Sequence, residues 1–250
     1  MRPLLFELGD VRIYSHGFFL ALGLLTCLGV LMYEARRRRW PPDEVIPITL
    51  AAFVGGILGA RLAMLVFAGW NVAATVFDYF ALFDASVGPG SVLGGVAGAY
   101  AGGYLASRSL GARCTCDAFA PAMALGMAVG RIGDFLAAED GLGKATTLPW
   151  GVPVPGVDYL VHPTPLYDAA FNLAWFGVLL ALRDRPALRD GDLLKIGLAG
   201  YAVVRFFIEF VRNNNVLAFG LTGQQYVCIG MIVAIGAYYV RRARPALGVA

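Results

Sequence analysis

The chain has 250 residues, of which 58% are hydrophobic and only 15% are charged, and this composition excludes an ordinary soluble domain. A membrane-spanning helix requires roughly 20 mostly apolar residues, and stretches of that kind occupy most of the sequence. The formal net charge of +3 does not indicate a nucleic-acid partner, and we expect none.

Seven apolar stretches, separated by charged clusters or by breaks rich in glycine and proline, predict seven transmembrane helices. They cover approximately residues 15–35, 45–68, 91–107, 118–136, 166–182, 194–212 and 225–240. The predicted fold is therefore all-α and polytopic, with residues 1–250 forming a single integral membrane domain. The first stretch lacks a small-residue cleavage site, so we interpret it as a retained helix rather than a signal peptide.

The basic residues of the loops predict the orientation of the chain. They follow every odd-numbered span, as Arg36, Arg37, Arg38, Arg39, Arg108, Arg113, Arg183, Arg185, Arg189, Arg241, Arg242 and Arg244. By the positive-inside rule, the N-terminus lies outside and the C-terminus lies in the cytoplasm. The longest outer loop contains TTLPWGVPVPG, whose prolines and glycines predict irregular structure.

Three arginines lie within apolar stretches: Arg61 in GGILGARLAML, Arg131 in GMAVGRIGDFL and Arg205 in GYAVVRFFIEFVR. Because even-numbered helices run outward in this topology, all three arginines belong to the outer half of the membrane. Burying one arginine at a helix centre costs about 2.5–3.5 kcal/mol even on insertion scales, so each needs a partner, water or an anion. Guanidinium groups match phosphate geometry, and phospholipid is the most available anion at that depth.

Two simpler interpretations of these arginines remain open. Arg205 and Glu209 are four residues apart, and Arg131 and Asp134 are three apart, so each pair could be an ion pair within one helix. Any one arginine could also extend to the outer interface. Three arginines at one depth instead favour a shared polar pocket that opens toward the outer leaflet.

Other polar residues are predicted at the same level. Tyr14 and His16 begin the first helix, Glu139 follows the fourth, and His162 and Tyr167 begin the fifth. At a membrane edge, tyrosine and histidine are often interfacial residues, and this interpretation stays open for each of them. Combined with the arginines, they predict transfer of a group from a phospholipid with its phosphate as the leaving group. No metal or cofactor is expected, since the sequence contains no metal-binding cluster.

The segment GRIGDFLAAEDGLG resembles the signature of the prolipoprotein diacylglyceryl transferases, which typically reads G-R-x-G-N-F-x-x-x-E. In the family's order, RIYSHGFFLALG resembles the first-helix motif and GSVLGG the S-F-H-G-G segment. VHPTPLYDA resembles H-P-[ST]-x-L-Y-E, VVRFFIEFVR resembles R-x-x-x-E-F-x-R, and TGQQ matches loosely near the last helix. The resemblance extends from about residue 11 to residue 235.

This resemblance implies a seven-helix enzyme of the bacterial cytoplasmic (inner) membrane, with its active site toward the outer leaflet. Such an enzyme moves the diacylglyceryl group of phosphatidylglycerol onto the lipobox cysteine thiol of a preprolipoprotein and releases glycerol 1-phosphate. The implied catalytic residues are Tyr14, Arg131, Glu139, Arg205 and Glu209. The expected headgroup-binding residues are Arg131, Arg61, Arg205, Asp134, His162, Tyr167 and His16.

The sequence departs from the family pattern at three positions. Leu93 replaces the histidine of the H-G-G segment, a proposed base for the thiol, Asp134 replaces asparagine, and Asp168 replaces the glutamate after L-Y. Leucine cannot accept a proton. His16, His162 or a carboxylate could take that role, the cations could lower the thiol pKa, or the activity could be lost or changed.

Two further classes of function remain open on the sequence. One is a non-catalytic membrane protein that binds phospholipid or a lipoprotein precursor through the same pocket. The other is an anion transporter with the arginines as its selectivity site, although seven spans without an inverted repeat argue against it.

Overall fold

The computed structural model describes residues 2–8, 11–68, 92–112, 116–137, 142–154 and 156–243. Over these ranges the chain is mostly helical, in agreement with the predicted class. The long helices are α1 (Ser15–Arg37), α2 (Pro42–Ala68), α3 (Val92–Ser109), α4 (Phe119–Ala137), α5 (Thr164–Leu182), α6 (Asp192–Ile208) and α7 (Gly223–Ala243).

Five described helical segments are long and apolar enough to cross a membrane. They are Ser15–Arg37, Pro42–Leu62, Cys116–Ala137, Thr164–Leu182 and Gly223–Ala243. Helices α3 and α6, which correspond to the third and sixth predicted spans, are not in this set, and α6 has only 17 residues. An all-α membrane protein is supported, whereas seven spans and the orientation of the termini stay predictions.

Short strands supplement the helices near the start of the chain and in the predicted outer loop. Strand β1 (Leu4–Leu8) pairs antiparallel with β2 (Val11–Tyr14), and β3 (Val152–Pro153) pairs antiparallel with β4 (Leu160–Val161). The prediction of irregular structure throughout TTLPWGVPVPG is therefore wrong at β3. Pro153 is tolerated there because β3 pairs only with β4 among the described residues and so is an edge strand, where proline is accommodated.

The described residues form two compact units, and each is considered separately. The first contains Met1–Met32 and Asp117–Ala250, and the second contains Tyr33–Cys116. Arg61 lies on α2 in the second unit. The single integral membrane domain predicted for residues 1–250 stays a prediction.

In the second unit, glycines bring α2 and α3 into backbone contact. A Cβ atom on Gly98 of α3 would overlap the carbonyl oxygen of Gly55 and lie 2.8 Å from Cα of Gly59. A Cβ on Gly102 would overlap the carbonyl oxygen of Ala51. Small residues allow such approach where lipid removes the usual hydrophobic drive for helix association.

In the first unit, the start of α1 packs against the end of α4. The backbone N–H of Arg2 donates to the carbonyl of Leu136 at 2.8 Å, and that of Ser15 donates to Pro3 at 2.7 Å. A Cβ on Gly133 would lie 3.1 Å from the carbonyl oxygen of Ser15 and 2.6 Å from Cβ of Phe19. The glycine therefore permits a close approach of α1 to the part of α4 that carries Asp134.

Substituting Gly98 with alanine is expected to destabilise the second unit by about 1–3 kcal/mol, because the added methyl group overlaps the backbone of α2. Gly236→Ala on α7 is the control, since a Cβ there meets nothing within 4 Å. The apparent melting temperature in detergent micelles should fall for Gly98→Ala and not for Gly236→Ala. Equal melting temperatures for the two variants would contradict the α2–α3 packing.

Candidate active site

The candidate site is organised around the buried carboxylate of Asp168 on α5. Its Oδ2 atom lies 3.4 Å from Nε of Arg131, 3.7 Å from Nη1 of Arg212 and 3.9 Å from Nη1 of Arg205. The side chain of Asp168 is 1% exposed, so water does little to screen these charges. Three guanidinium groups thus share one carboxylate in the first unit.

This shared carboxylate leaves hydrogen-bonding capacity unused. Oδ2 of Asp168, Nη1 of Arg205, and Nε and Nη1 of Arg212 are buried, and none has a hydrogen-bond partner among the described residues. Buried polar groups are normally satisfied, and each exception calls for an explanation such as an absent ion or ligand. The unused donors all belong to cations, so they favour an anion.

Each of two arginines also pairs with a carboxylate on its own helix or in the turn that follows it. Nη1 of Arg131 donates to Oδ2 of Asp134 at 2.7 Å, and Nη2 of Arg205 lies 2.7 Å from Oε2 of Glu209. Both ion pairs that the sequence left open are therefore present. They coexist with the shared contacts to Asp168, so internal pairing and a common cluster are compatible.

Two side chains of the segment that joins α6 to α7 donate hydrogen bonds to Glu209. Asn214 donates from its amide nitrogen to Oε1 of Glu209, and Oγ1 of Thr222 donates to the same oxygen at 3.0 Å. Thr222 also begins α7 with a reciprocal cap, because its N–H donates to Oε1 of Gln225 at 2.9 Å. Gln224, in the same first turn of α7, accepts a hydrogen bond from Nη2 of Arg205. The loop and the start of α7 thus orient Arg205 and its partner Glu209.

His16 at the start of α1 belongs to the same cluster. Its Nδ1 atom lies 3.0 Å from Oδ1 of Asp134, whose other oxygen accepts from Arg131. Asp134 therefore links an imidazole to a guanidinium through its two oxygens. Asparagine, which the family pattern has at this position, is neutral and could not offer a negative charge to the imidazole and the guanidinium group.

His162 and Tyr167 lie in a second group near the short strands. Nδ1 of His162 is 3.2 Å from the hydroxyl of Tyr167, which accepts from the indole N–H of Trp150 at 2.8 Å. His162 is also fixed by its backbone, whose N–H donates to the carbonyl of Lys144 at 3.1 Å. The described contacts therefore pair these two predicted residues with each other.

The remaining predicted residues are not brought into the cluster by any described contact. Tyr14 ends β2 and is 55% exposed. Arg61 lies in the second unit, and Glu139 lies outside the described residues. Leu93 lies in the first turn of α3. The roles assigned to Tyr14, Arg61 and Glu139 stay predictions.

Sequence reasoning missed Arg212 and the central position of Asp168. Arg212 ends the sixth predicted span, and it follows Arg205 and Glu209 at the spacing i, i+4, i+7 that places residues on one helical face. The chain tightens into a 3-10 turn at Glu209–Val211, which keeps Arg212 near that face. Asp168 was noted only as a departure, although an aspartate one turn inside an apolar helix is itself a signal.

A family model described as prolipoprotein diacylglyceryl transferase matches residues 3–241, nearly the whole chain. The chain belongs to this family. Its members with similar sequences include the phosphatidylglycerol–prolipoprotein diacylglyceryl transferase of Clostridium tetani, 30% identical over 86% of this chain and 86% of that protein. The enzyme of the same name from Clostridioides difficile is 30% identical over 93% of this chain and 92% of that protein. That of Pseudoalteromonas atlantica is 28% identical over 98% and 91%.

The contacts of the cluster lie at one end of the helices in the first unit. His16 at the start of α1, Arg131 near the end of α4, Asp168 near the start of α5 and Arg205 near the end of α6 are joined by the contacts above. The starts of α1 and α5 thus meet the ends of α4 and α6, as expected when short connections join antiparallel neighbours.

Replacing Asp168 with asparagine is expected to lower the free energy of unfolding by about 3 kcal/mol, because three buried guanidinium groups would retain only the carboxylates of Asp134 and Glu209. Inorganic phosphate should raise the apparent melting temperature more for this variant than for the wild type, since it replaces the lost negative charge.

The control for this prediction is Asp158→Asn, at an exposed position between β3 and β4. It should match the wild type in melting temperature and in its response to phosphate. If Asp168→Asn also behaves like the wild type in both respects, then Asp168 does not hold the cluster together.

Proposed function

We propose that this chain is a phosphatidylglycerol–prolipoprotein diacylglyceryl transferase that acts on the lipobox cysteine of preprolipoproteins. The thiol sulfur forms a bond with the terminal carbon of the diacylglyceryl group. The bond from that carbon to the phosphate oxygen breaks, its electron pair stays on that oxygen, and glycerol 1-phosphate leaves. The observation that carries the proposal is the cluster of Arg131, Arg205 and Arg212 around Asp168 in a chain of this family.

The arginine cluster suits the leaving group of this reaction. Nη1 of Arg205 and two nitrogens of Arg212 have no hydrogen-bond partner among the described side chains, so they can donate to phosphate oxygens without first breaking a bond. Negative charge grows on the phosphate as the carbon–oxygen bond breaks. Preorganised cations at low dielectric stabilise such charge most effectively, because they need little reorganisation.

The carboxylates hold the arginines in place in this proposal. Glu209 fixes Nη2 of Arg205 at 2.7 Å, which leaves Nη1 directed elsewhere. Asp134 holds Nη1 of Arg131 in the same way. These contacts orient each guanidinium group while part of its donor set stays available to the headgroup.

Roles for the other predicted residues follow from the family resemblance. Arg61 and Glu139 would complete the headgroup site, with Glu139 orienting either the arginines or the glycerol hydroxyls. Tyr14 would take part in catalysis, and His162 with Tyr167 would contact the headgroup from the loop side.

We further propose seven transmembrane spans in the bacterial inner membrane, with the N-terminus outside and the C-terminus in the cytoplasm. This orientation places the arginine cluster in the outer leaflet, where phosphatidylglycerol and an exported precursor are both accessible. The basic loops supply the orientation through the positive-inside rule. The packing of α2 and α3 through glycines supports α3 as a spanning helix despite its small residues.

A non-catalytic homologue that binds phospholipid or a lipoprotein precursor is the second candidate. Leu93, which cannot accept a proton, favours it. The equal number of guanidinium and carboxylate groups among Arg131, Arg205, Arg212, Asp134, Asp168 and Glu209 also favours it, because a neutral cluster has a weaker hold on an anion.

A transfer assay distinguishes the two candidates. Purified protein in vesicles that contain labelled phosphatidylglycerol should attach the labelled diacylglyceryl group to a lipobox peptide. Arg205→Ala and Arg131→Ala should each lower kcat by about 10²–10³-fold, since each removes charge stabilisation from the departing phosphate.

Arg185→Ala, at an exposed cytoplasmic-loop position, is the control and should retain wild-type kcat. Arg205→Lys keeps the positive charge but removes the planar guanidinium group that can donate two parallel hydrogen bonds to a phosphate. Its kcat should remain well below that of the wild type. Labelled product from Arg131→Ala and Arg205→Ala at the wild-type rate would reject the site. Headgroup binding by the wild type without any product would favour the non-catalytic homologue.

The orientation has its own test by cysteine labelling in a chain whose native cysteines are replaced by alanine. Asp158→Cys should react with a membrane-impermeant maleimide in intact cells. Arg185→Cys should react only after the membrane is permeabilised. The reverse pattern would show that the chain is inserted the other way round.

A further inference from the structure

Transfer to a thiol requires a proton acceptor, and this inference rests on the transferase function proposed above. A thiol with a pKa of about 8.5 is mostly protonated near neutral pH, and the thiolate is the nucleophile. Leu93 offers no acceptor at the position where the family pattern has histidine. A side-chain acceptor in this protein would therefore have to be a different residue.

The carboxylates of the cluster are poor candidates for this task. Asp168 lies against three guanidinium groups, and Glu209 is paired with Arg205 at 2.7 Å. Both carboxylates are thus already engaged by guanidinium groups of the cluster. The acceptor is better sought in a neutral base.

The chain has two histidines, and they differ in their partners. His162 has the hydroxyl of Tyr167 at 3.2 Å from its Nδ1 atom. His16 has a carboxylate oxygen of Asp134 at 3.0 Å from its Nδ1 atom. A carboxylate that accepts the Nδ1 proton fixes the tautomer of a neutral imidazole and stabilises the imidazolium that forms when Nε2 takes a proton.

The surroundings of His16 hold this pair in place. The backbone hydrogen bond from Arg2 to Leu136 joins the β1 end of the chain to α4. Gly133, next to Asp134, lets the α1 backbone approach to the point where a Cβ would lie 3.4 Å from the carbonyl oxygen of His16. Asp134 itself is fixed because Arg131 donates to its second oxygen at 2.7 Å. The contacts of α1 with α4, together with Arg131, therefore hold His16 and Asp134 in position.

Exposure decreases from His16 toward the buried part of the cluster. The exposed side-chain fraction is 33% for His16, 23% for Asp134, 15% for Arg131 and 1% for Asp168. These residues form a continuous line from the accessible imidazole to the buried cluster. The carboxylate of Asp134 thus bridges His16 and Arg131, so a thiol at His16 and a phosphate at Arg131 would lie on either side of it.

We infer that His16 is the catalytic base that accepts the thiol proton, and that Asp134 orients its ring and stabilises its charged form. The S–H proton moves to Nε2 of His16 as the sulfur forms its bond with the diacylglyceryl carbon. The carbon–oxygen bond breaks, and its electron pair remains on the glycerol 1-phosphate oxygen. The imidazolium then returns the proton to the departing phosphate or to water, which restores the neutral base.

Steady-state kinetics of full-length His16→Gln in phosphatidylglycerol vesicles tests this role. At about pH 7, kcat should fall by about 10²–10⁴-fold, whereas KM for phosphatidylglycerol should change by no more than about twofold. As the pH rises toward about 8.5, the variant should regain about tenfold in rate per pH unit, because the peptide thiol then ionises without a base. Loss of a headgroup contact would instead raise KM and leave no such recovery.

The second variant is Asp134→Asn, which keeps the size of the side chain and removes the charge that stabilises the imidazolium. Its kcat at neutral pH should fall by about tenfold or more, with part of the loss recovered at alkaline pH. Thr26→Val, at a partly exposed position of α1, is the control and should behave like the wild type over the whole pH range.

The outcomes separate this inference from the function on which it rests. If the wild type transfers diacylglyceryl but His16→Gln keeps its kcat within about twofold, or loses it equally at every pH, His16 is not the base and the transferase assignment stands. If the wild type transfers nothing while it binds phosphatidylglycerol, the proposed function itself fails.

Discussion

The buried carboxylate of Asp168 is the interaction on which the candidate site depends. Arg131 on α4, and Arg205 and Arg212 on and just after α6, lie 3.4–3.9 Å from its Oδ2 atom. Without that charge, three guanidinium groups would repel one another in a region of low dielectric. Asp168 therefore allows three cations to meet at one end of the helices, and it joins α5 electrostatically to both of its neighbours.

The same contacts explain how the cluster can be stable and still receive an anion. Asp168 attracts the three arginines without hydrogen bonding to any of them, so several of their buried donors have no partner among the described groups. Asp134 and Glu209 orient individual arginines through closer contacts of 2.7 Å. The close ion pairs with Asp134 and Glu209 fix the positions of the arginines. The longer contacts with Asp168 leave several guanidinium N–H donors available. This division suits a site that must hold a phosphate during reaction and then release the product.

The helices and the unusual positions of the charges of Arg131, Arg205 and Glu209 could be predicted from the sequence, because apolar length and isolated charges are local signals. Arg212 could not be placed by charge bias alone, since its partner Asp168 lies on another helix. The link between His16 and Asp134 joins residues 118 positions apart, and no local pattern reports it. Strand β3 was missed because two paired residues leave almost no periodic signal. Sequence thus revealed which charges are unusual, and the tertiary structure revealed their partners.

An experimental structure of the protein with bound phosphatidylglycerol tests the central claim most directly. The account predicts the phosphate group within hydrogen-bonding distance, about 3 Å, of the guanidinium groups of Arg131, Arg205 and Arg212. It also predicts that Asp168 stays in place behind them. A phosphate bound elsewhere, with these three arginines still engaged only by carboxylates, would contradict the account.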